Sequence, residues 1–410
     1  MTKYTENLNN SLLFRVDRDC LVQSMCEAFD KTVPAAEGLS RLLDRASQKG
    51  WTGNLWHCCL AEALLMSENP YTLSFERREG TDCSLQRLAL KDMELWKELF
   101  DAKCEHPAWA ELTAFIGDGG SAPDTAVTRL AKSLARCRSA EEMLRTLQNN
   151  LMTSGCGIYA LASRFRVEVR EDSFALLPLA AGRSFGLSEL VGYETQKKQL
   201  VDNTESFLRG SGSNNVLLYG DAGTGKSSCV QALATEYGDK GLRIIEIHKH
   251  QFQVIPGLLN SLANRRYRFI LLLDDLSFED NETEYKYLKA VMEGGAQAAP
   301  ENIRIYATSN RRHLVRESWS DRSDMEHDGD IHRSDTMEEK LSLASRFGLQ
   351  IFYPSPDFDE YQNIVAELAE RNGVKLSPDE LKKQAATWQV RHGSRSGRTA
   401  KQFIDSLYKD

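Results

Sequence analysis

The fold turns on the stretch NVLLYGDAGTGKSS, Asn215 to Ser228. Its first five residues are an apolar run of the kind that forms a buried strand, and Val230, Leu233, Ala234 and Tyr237 beyond it recur at helical spacing on one face. Between strand and helix, Gly220, Asp221, Ala222, Gly223, Thr224, Gly225, Lys226 and Ser227 satisfy Gly-x4-Gly-Lys-Ser/Thr, the pattern by which a strand and a helix N-terminus form a phosphate cradle. Glycines at 220, 223 and 225 permit backbone angles that aim successive amides inward. Lys226 would neutralise the β and γ phosphates and Ser227 would place its hydroxyl on magnesium, with Ser228 closing the binding segment. The ligand implied is a nucleotide polyphosphate.

Further along, LRIIEI (242–247), RFILLL (268–273), IRIYAT (303–308) and LQIFY (349–353) alternate with helical stretches. That spacing predicts a parallel sheet covered by helices. RFILLL runs into Asp274 and Asp275, the first of them 48 residues after Lys226. Paired acids buried at a strand end need a reason to stay charged, and a magnesium ion supplies one. Asp274 would hold the metal through its water shell, while Asp275 would orient and deprotonate the attacking water. The plain alternative is a strand that ends in a polar turn.

These motifs, with LVGYE (190–194), DDLSFE (274–279), YATSNRRHL (306–314), LSLASRFGL (341–349) and SGRTAKQF (396–403), resemble AAA+ ATPases over about residues 185–410. More narrowly they resemble a bacterial AAA+ family catalogued as a domain of unknown function, as does the helical N-terminal part ending in GCGIYA (155–160). The resemblance implies ATP and Mg2+ as cofactors, ATP hydrolysis driving a conformational switch, and a homo-oligomer. It implies an α/β P-loop NTPase with a parallel sheet and a C-terminal helical lid, preceded by a mostly α-helical N-terminal domain. The divisions expected are 1–184 (helical), 185–355 (ATP-binding core) and 356–410 (lid).

The resemblance also assigns individual residues. Asn310 matches the sensor 1 position, where an amide orients water against the γ phosphate without carrying charge; the alternative is a turn asparagine. Arg346 matches an initiator-like arginine finger acting in trans on a neighbouring subunit, with a structural ion pair as its alternative and Arg311 and Arg312 as nearby rivals. Arg398 matches the sensor 2 arginine of the lid, and Val191, Gly192 and Tyr193 match the segment beside adenine. No Asn-Lys-x-Asp pattern favours guanine. One departure stands out: AAA+ proteins usually carry Asp-Glu where this chain has Asp274-Asp275. The shorter acid sets its carboxylate about 1.5 Å farther from the water, and about 1 Å of misplacement can cost a hundredfold. Glu279 is a weaker substitute.

Other features narrow the function. Leu381 to Phe403 holds six Lys or Arg and no acid, a solvated face that at a lid can also serve phosphates. EIHKHQFQVIPG lacks the aromatic-apolar-glycine trio of rings that thread polypeptide. Asp321 to Glu339, with eight acidic and two basic residues plus His327 and His332, reads as a solvated insertion. FRVEVREDSFALL suits a short hairpin at a domain junction, placing the boundary near Gly182 to Gly186.

The first 160 residues read as helical from positions such as Leu85, Leu88, Ala89, Trp96, Leu99 and Phe100. Eight of the nine cysteines lie there without a CxxC pair, so reduced thiols are expected. His57, Cys58, Cys59, Cys104 and His106 could hold zinc, but buried small apolar cysteines are the better reading. With 410 residues, 41% apolar and 27% charged, the chain is globular and long enough for two or three domains. No apolar run approaches a membrane helix or signal peptide, so a cytoplasmic protein is expected. The net charge of −8 does not advertise nucleic acid. Two alternatives to the ATPase stay open: a nucleotide-gated binding or regulatory protein with negligible turnover, and a DNA-associated loader. A protein client is possible in either.

Overall fold

Parallel pairing brings the C-terminal ends of all the apolar runs to one edge of a sheet, and that edge is where the site forms. The computed structural model describes residues 3–16, 20–80, 82–117, 125–171, 173–179, 185–277, 285–292, 299–310 and 343–408. Two compact units divide at Leu161 and Ala162.

The first unit is helical among its described residues. Its helices begin where short polar side chains cap free amides: Asn54 accepts from His57 N, Asp82 from Ser84 N, and Ser139 from Glu142 N. Trp56, Trp96, Leu60, Leu64, Met93 and Leu147 are fully buried in its core, each such side chain contributing roughly 1.5–3 kcal/mol. Asp92 is buried in that core and accepts from Ser11 Oγ at 2.8 Å and from the amides of Leu12, Leu13 and Phe14. Four donors thus replace the water it gave up. The residues set aside as a zinc site go separate ways, in keeping with the reading of buried cysteines: Cys58 donates to Thr52 O, and His57 Nε2 meets Phe100 O at 2.8 Å. Cys26, Cys58, Cys59, Cys137 and Cys156 are buried and form no disulfide, and burial pushes Cys26 and Cys59 well above the usual thiol range.

Among its described residues the second unit holds seven strands: β1 Arg164–Arg170, β2 Ser173–Pro178, β3 Val216–Gly220, β4 Leu242–Ile247, β5 Arg268–Leu273, β6 Ile303–Ser309 and β7 Leu349–Tyr353. Their order is β2-β1-β4-β5-β6-β3-β7. Only β1 and β2 are antiparallel; the other neighbours are parallel. Every apolar run expected to be a strand is one. Val216, Leu218, Ile244, Ile270, Leu272, Tyr306 and Ile351 form one core with Leu200 and Phe207 of helix Glu194–Leu208 and with Val230 and Leu233 of helix Lys226–Tyr237. Strands buried on both faces explain the continuous apolar runs.

The hairpin expected at a junction near Gly182–Gly186 is part of this sheet. β1 pairs with β4 from Arg164↔Ile244 to Arg166↔Glu246, and Arg164 bonds Glu246 at 2.7 Å. The division therefore falls earlier than the position expected from the hairpin, because strand pairing commits the segment to the following unit. After β7 come helices Phe358–Arg371, Pro378–His392 and Gly397–Ser406, joined by Tyr361, Val365, Ala385, Ala400, Phe403 and Ile404. Ser377 caps the middle helix through Glu380 N, with Pro378 in its first turn, as its sequence predicts.

Candidate functional site

The register fixes which residues meet. β3 lies between β6 and β7, with Tyr219 opposite Ser309 and Gly220 opposite Tyr353. Leu273 lies opposite Ala307. The turn after β3, the end of β5 and the end of β6 therefore converge at one edge of the sheet, the usual place for a ligand in an open α/β sheet.

In the loop itself Gly220, Gly223 and Gly225 have φ of +133°, +77° and +88°. A Cβ on Gly220 would sit 2.1 Å from Tyr353 O, and one on Gly223 would sit 2.8 Å from Ser396 Oγ. Gly220 and Gly223 are required both by angle and by close approach, Gly225 by angle. Helix Lys226–Tyr237 starts at the lysine, with Gly225 as its cap. Lys226 is 5% exposed, and its Nζ donates to Gly220 O (3.0 Å), Asp221 O (2.6 Å) and Asn310 Oδ1 (3.1 Å). Burial draws its pKa below the usual lysine value, opposed by the charges of Asp221, Asp275 and Asp274. Thr224 Oγ1 donates to Asp221 O at 2.9 Å, tightening the loop.

Ser227 Oγ donates to Asp274 Oδ1, and Thr308 Oγ1 donates to the same oxygen at 2.6 Å. Asn310 Nδ2 donates to Asp275 Oδ1 at 2.7 Å. Asn310 thus joins the loop lysine to the second acid, a link that the sequence does not specify. Both acids are exposed at the open end of β5, which corrects the expectation of a buried pair. Asp275 has φ +54°. Among non-glycine residues Asp and Asn tolerate this left-handed region best, which gives a physical reason for aspartate where the resemblance expects glutamate.

The other expected residues are distributed as follows. Arg398 N donates to Gly223 O at 3.2 Å, so the start of the last helix lies against the phosphate loop; Ser396 caps that helix through Thr399 N. Val191 packs against the core of the C-terminal helices, Gly192 has φ +81°, and Leu190 lies 3.4 Å from the position a Gly225 Cβ would take. This segment therefore runs beside the loop. Tyr193 OH donates to Pro354 O at 2.7 Å. Ala222 is exposed and Ser228 half-buried. Arg346 is not part of the cluster: it is exposed and precedes β7, at the end of that strand remote from Gly220. Four steps of about 3.3 Å along β7 put roughly 13 Å between its two ends. Glu279, Arg311, Arg312 and the acidic stretch 321–339 lie outside the described residues.

Sequence reasoning named Asp221 in the cradle but missed two participants, Ser355 and Thr308. Asp221 Oδ2 accepts from Ser355 N at 2.7 Å and Asp221 N donates to Tyr353 O at 3.1 Å, so the loop is tied to the segment leading to the C-terminal helices. Thr308 lies between the two acids. Its only sequence signal is a hydroxyl residue two places before Asn310 at a strand end.

The sheet, phosphate loop and C-terminal helices make an α/β module built on a P-loop, preceded by a helical N-terminal unit. The chain belongs to the family described as "Protein of unknown function (DUF815)", whose pattern matches residues 160–410. The match begins within two residues of the division between the units. A segment of 98 residues is 38% identical to the replication factor C large subunit of Staphylothermus marinus, covering 22% of each protein. The corresponding subunit of Methanococcus vannielii is 28% identical over 98 residues, covering 23% of this chain and 20% of that protein. This chain therefore spans about a fifth of the length of these curated relatives. Among solved structures, the Thermotoga maritima RuvB Holliday junction branch migration motor matches at 16% identity and TM-score 0.34, over 55% of this chain and 73% of that one. Aeropyrum pernix Orc1 in complex with DNA matches at 18% and 0.38, over 53% and 59%. Among the described residues no helix is long and apolar enough to cross a membrane.

Proposed function

We propose that this protein binds Mg-ATP at the tip of β3 and hydrolyses it to switch the arrangement of its C-terminal helices, working as a homo-oligomer. The observation that carries this is the bonded chain Lys226–Asn310–Asp275 beside Ser227–Asp274: cation, amide, base and oxygen ligands meet at one glycine-rich loop.

The residues present fit the cofactors. The positive-φ glycines leave room for a phosphate where a Cβ would stand, and hydroxyl and carboxylate oxygens are the donors magnesium takes. Ser227 and Asp274 would hold the ion, which when bound neutralises charge on the phosphate oxygens. Lys226 would exchange its two loop carbonyls for phosphate oxygens. Asp275 accepts the proton of the attacking water, and Asn310 holds that carboxylate in place. Arg346, remote from its own loop, serves a neighbour's site, and Arg398 reports the phosphate to the last helix. The tie from Asp221 to Ser355 supports transmission of the loop's state to the helices beyond β7.

A second reading is a nucleotide-gated binding protein with negligible turnover. The short Asp275 side chain, engaged by Asn310, favours it. A loader on DNA is a third, suggested by the partial likeness to replication factor C. Lys226→Ala should abolish Mg-ATP binding measured by calorimetry, since the lysine is the loop's own cation. Unchanged affinity would remove the basis of the reading. Turnover by wild type, with and without single-stranded DNA, separates the three.

A further inference from the structure

We propose that Thr308 is a positioning residue that sets both acids of the site: its hydroxyl hydrogen orients the Asp274 carboxylate, and its oxygen anchors the strained backbone from which Asp275 projects. This rests on the ATPase reading above. Thr308 is 2% exposed, near the end of β6. Its Oγ1 lies 2.6 Å from Asp274 Oδ1, 3.0 Å from Asp275 N and 3.5 Å from Ser227 Oγ. A hydroxyl has one hydrogen and two lone pairs. The Asp275 amide can only donate and an ionised carboxylate can only accept, so the hydrogen goes to Asp274 and a lone pair takes the amide. No other assignment satisfies both neighbours.

The main chain of the same residue completes the device. Leu276 N donates to Thr308 O at 2.6 Å, so Thr308 bonds both backbone amides that flank the Asp275 side chain. Asp275 has φ +54°, a conformation that persists only where the surroundings over-determine it. Two residues on, Asn310 grips the Asp275 carboxylate at 2.7 Å. A single turn of one strand end, Thr308 to Asn310, thus fixes the metal-side acid, the backbone of the base and the carboxylate of the base. Removing the hydroxyl leaves Asp274 Oδ1, held by Ser227 Oγ, without its strand-end donor and leaves the half-buried Asp275 amide without its partner, while every residue expected to touch nucleotide is retained.

The test uses full-length Thr308→Val, Thr308→Ala and Thr308→Ser proteins. Mn2+ binding in the presence of a non-hydrolysable ATP analogue is read by electron paramagnetic resonance, beside metal-free nucleotide affinity and steady-state turnover. In Thr308→Val, Mn2+ affinity should fall about 10–100-fold, the usual effect of losing the partner of a ligating carboxylate. Its kcat should fall about a hundredfold, as for a misplacement near 1 Å, with KM for ATP and metal-free affinity within about threefold of wild type. Thr308→Ala, which relieves any packing clash of the valine methyl, should lose the same Mn2+ affinity. Thr308→Ser keeps the hydroxyl and should recover both quantities to within about threefold. Mn2+ affinity unchanged in both the Val and Ala proteins overturns the proposal, as does a Ser protein as impaired as Val. If wild type binds neither nucleotide nor Mn2+, the ATPase reading fails and takes this one with it. Binding in wild type with Mn2+ affinity unchanged in both Thr308→Val and Thr308→Ala sinks this inference alone.

Discussion

Replacing Gly220 by alanine adds one methyl group at the point where the phosphate loop leaves the sheet. The added Cβ would lie 2.1 Å from Tyr353 O, 2.8 Å from Tyr353 C and 3.1 Å from Tyr353 N. The obstacle is backbone of the paired strand β7, which cannot rotate out of the way. Two costs add. An L residue at φ +133° pays roughly 1–3 kcal/mol, and overpacking pays about another 1–3 kcal/mol, so about 2–6 kcal/mol is expected in all. Gly241→Ala isolates the first part, because Gly241 has φ +91° and open space around its Cβ position. Native-state hydrogen exchange of β5, buried in the centre of the sheet, reads the opening free energy of the second unit in each variant. Gly220→Ala should exchange faster than Gly241→Ala by about 5–150-fold, the equivalent of 1–3 kcal/mol at tenfold per 1.4 kcal/mol. The bond from Asp221 N to Tyr353 O would be displaced too, so ATP affinity should fall in Gly220→Ala and not in Gly241→Ala. Equal exchange in the two variants, within threefold, would refute the reasoning from close approach.

Asp275→Asn should keep Mg-ATP affinity and lose turnover by roughly 10²-fold or more, since asparagine tolerates the left-handed backbone and still pairs with Asn310 but cannot take a proton; turnover within about threefold of wild type in a phosphate-release assay would move the base elsewhere. Arg346→Ala should leave ATP affinity intact and cut hydrolysis by about 10³-fold, and mixing it with Lys226→Ala protein should restore some activity at interfaces that pair an intact loop with an intact finger; no rescue together with a lowered Tm would assign Arg346 to an ion pair. Asp92→Ala should destabilise the first unit by about 3 kcal/mol or more in urea unfolding followed by circular dichroism, because it strands the amides of Leu12, Leu13 and Phe14; a change under 1 kcal/mol would mean that water reaches those amides.

The phosphate loop was legible because its chemistry is local. Glycines, lysine and serine within eight residues must be consecutive for one turn to wrap a phosphate, and the five apolar runs declared the sheet because buried strands have no polar face to show. Asp274 and Asp275 were legible as paired acids at a strand end suited to a metal and a base, while the role of Asn310 came only through a resemblance. The place of the hairpin was not: FRVEVREDSFALL says that two strands pair with each other, but not that β1 also pairs with β4, which depends on residues about 80 positions away. Thr308 was equally silent. A threonine near a strand end is ordinary, and it matters here because β5 and β6 are neighbours in register.

By itself, then, the order of residues determined the local grammar: which segments are strand or helix, where the cradle forms, and which charged and amide side chains stand at strand ends. The tertiary structure decided partnership. Strand order placed β3 between β6 and β7, bringing Asn310 to Lys226 across 84 positions and Ser355 to Asp221 across 134, and it left Arg346 at the remote end of β7. Such meetings depend on which strands pair, a choice set by the summed burial of the whole sheet and not by any short window of sequence.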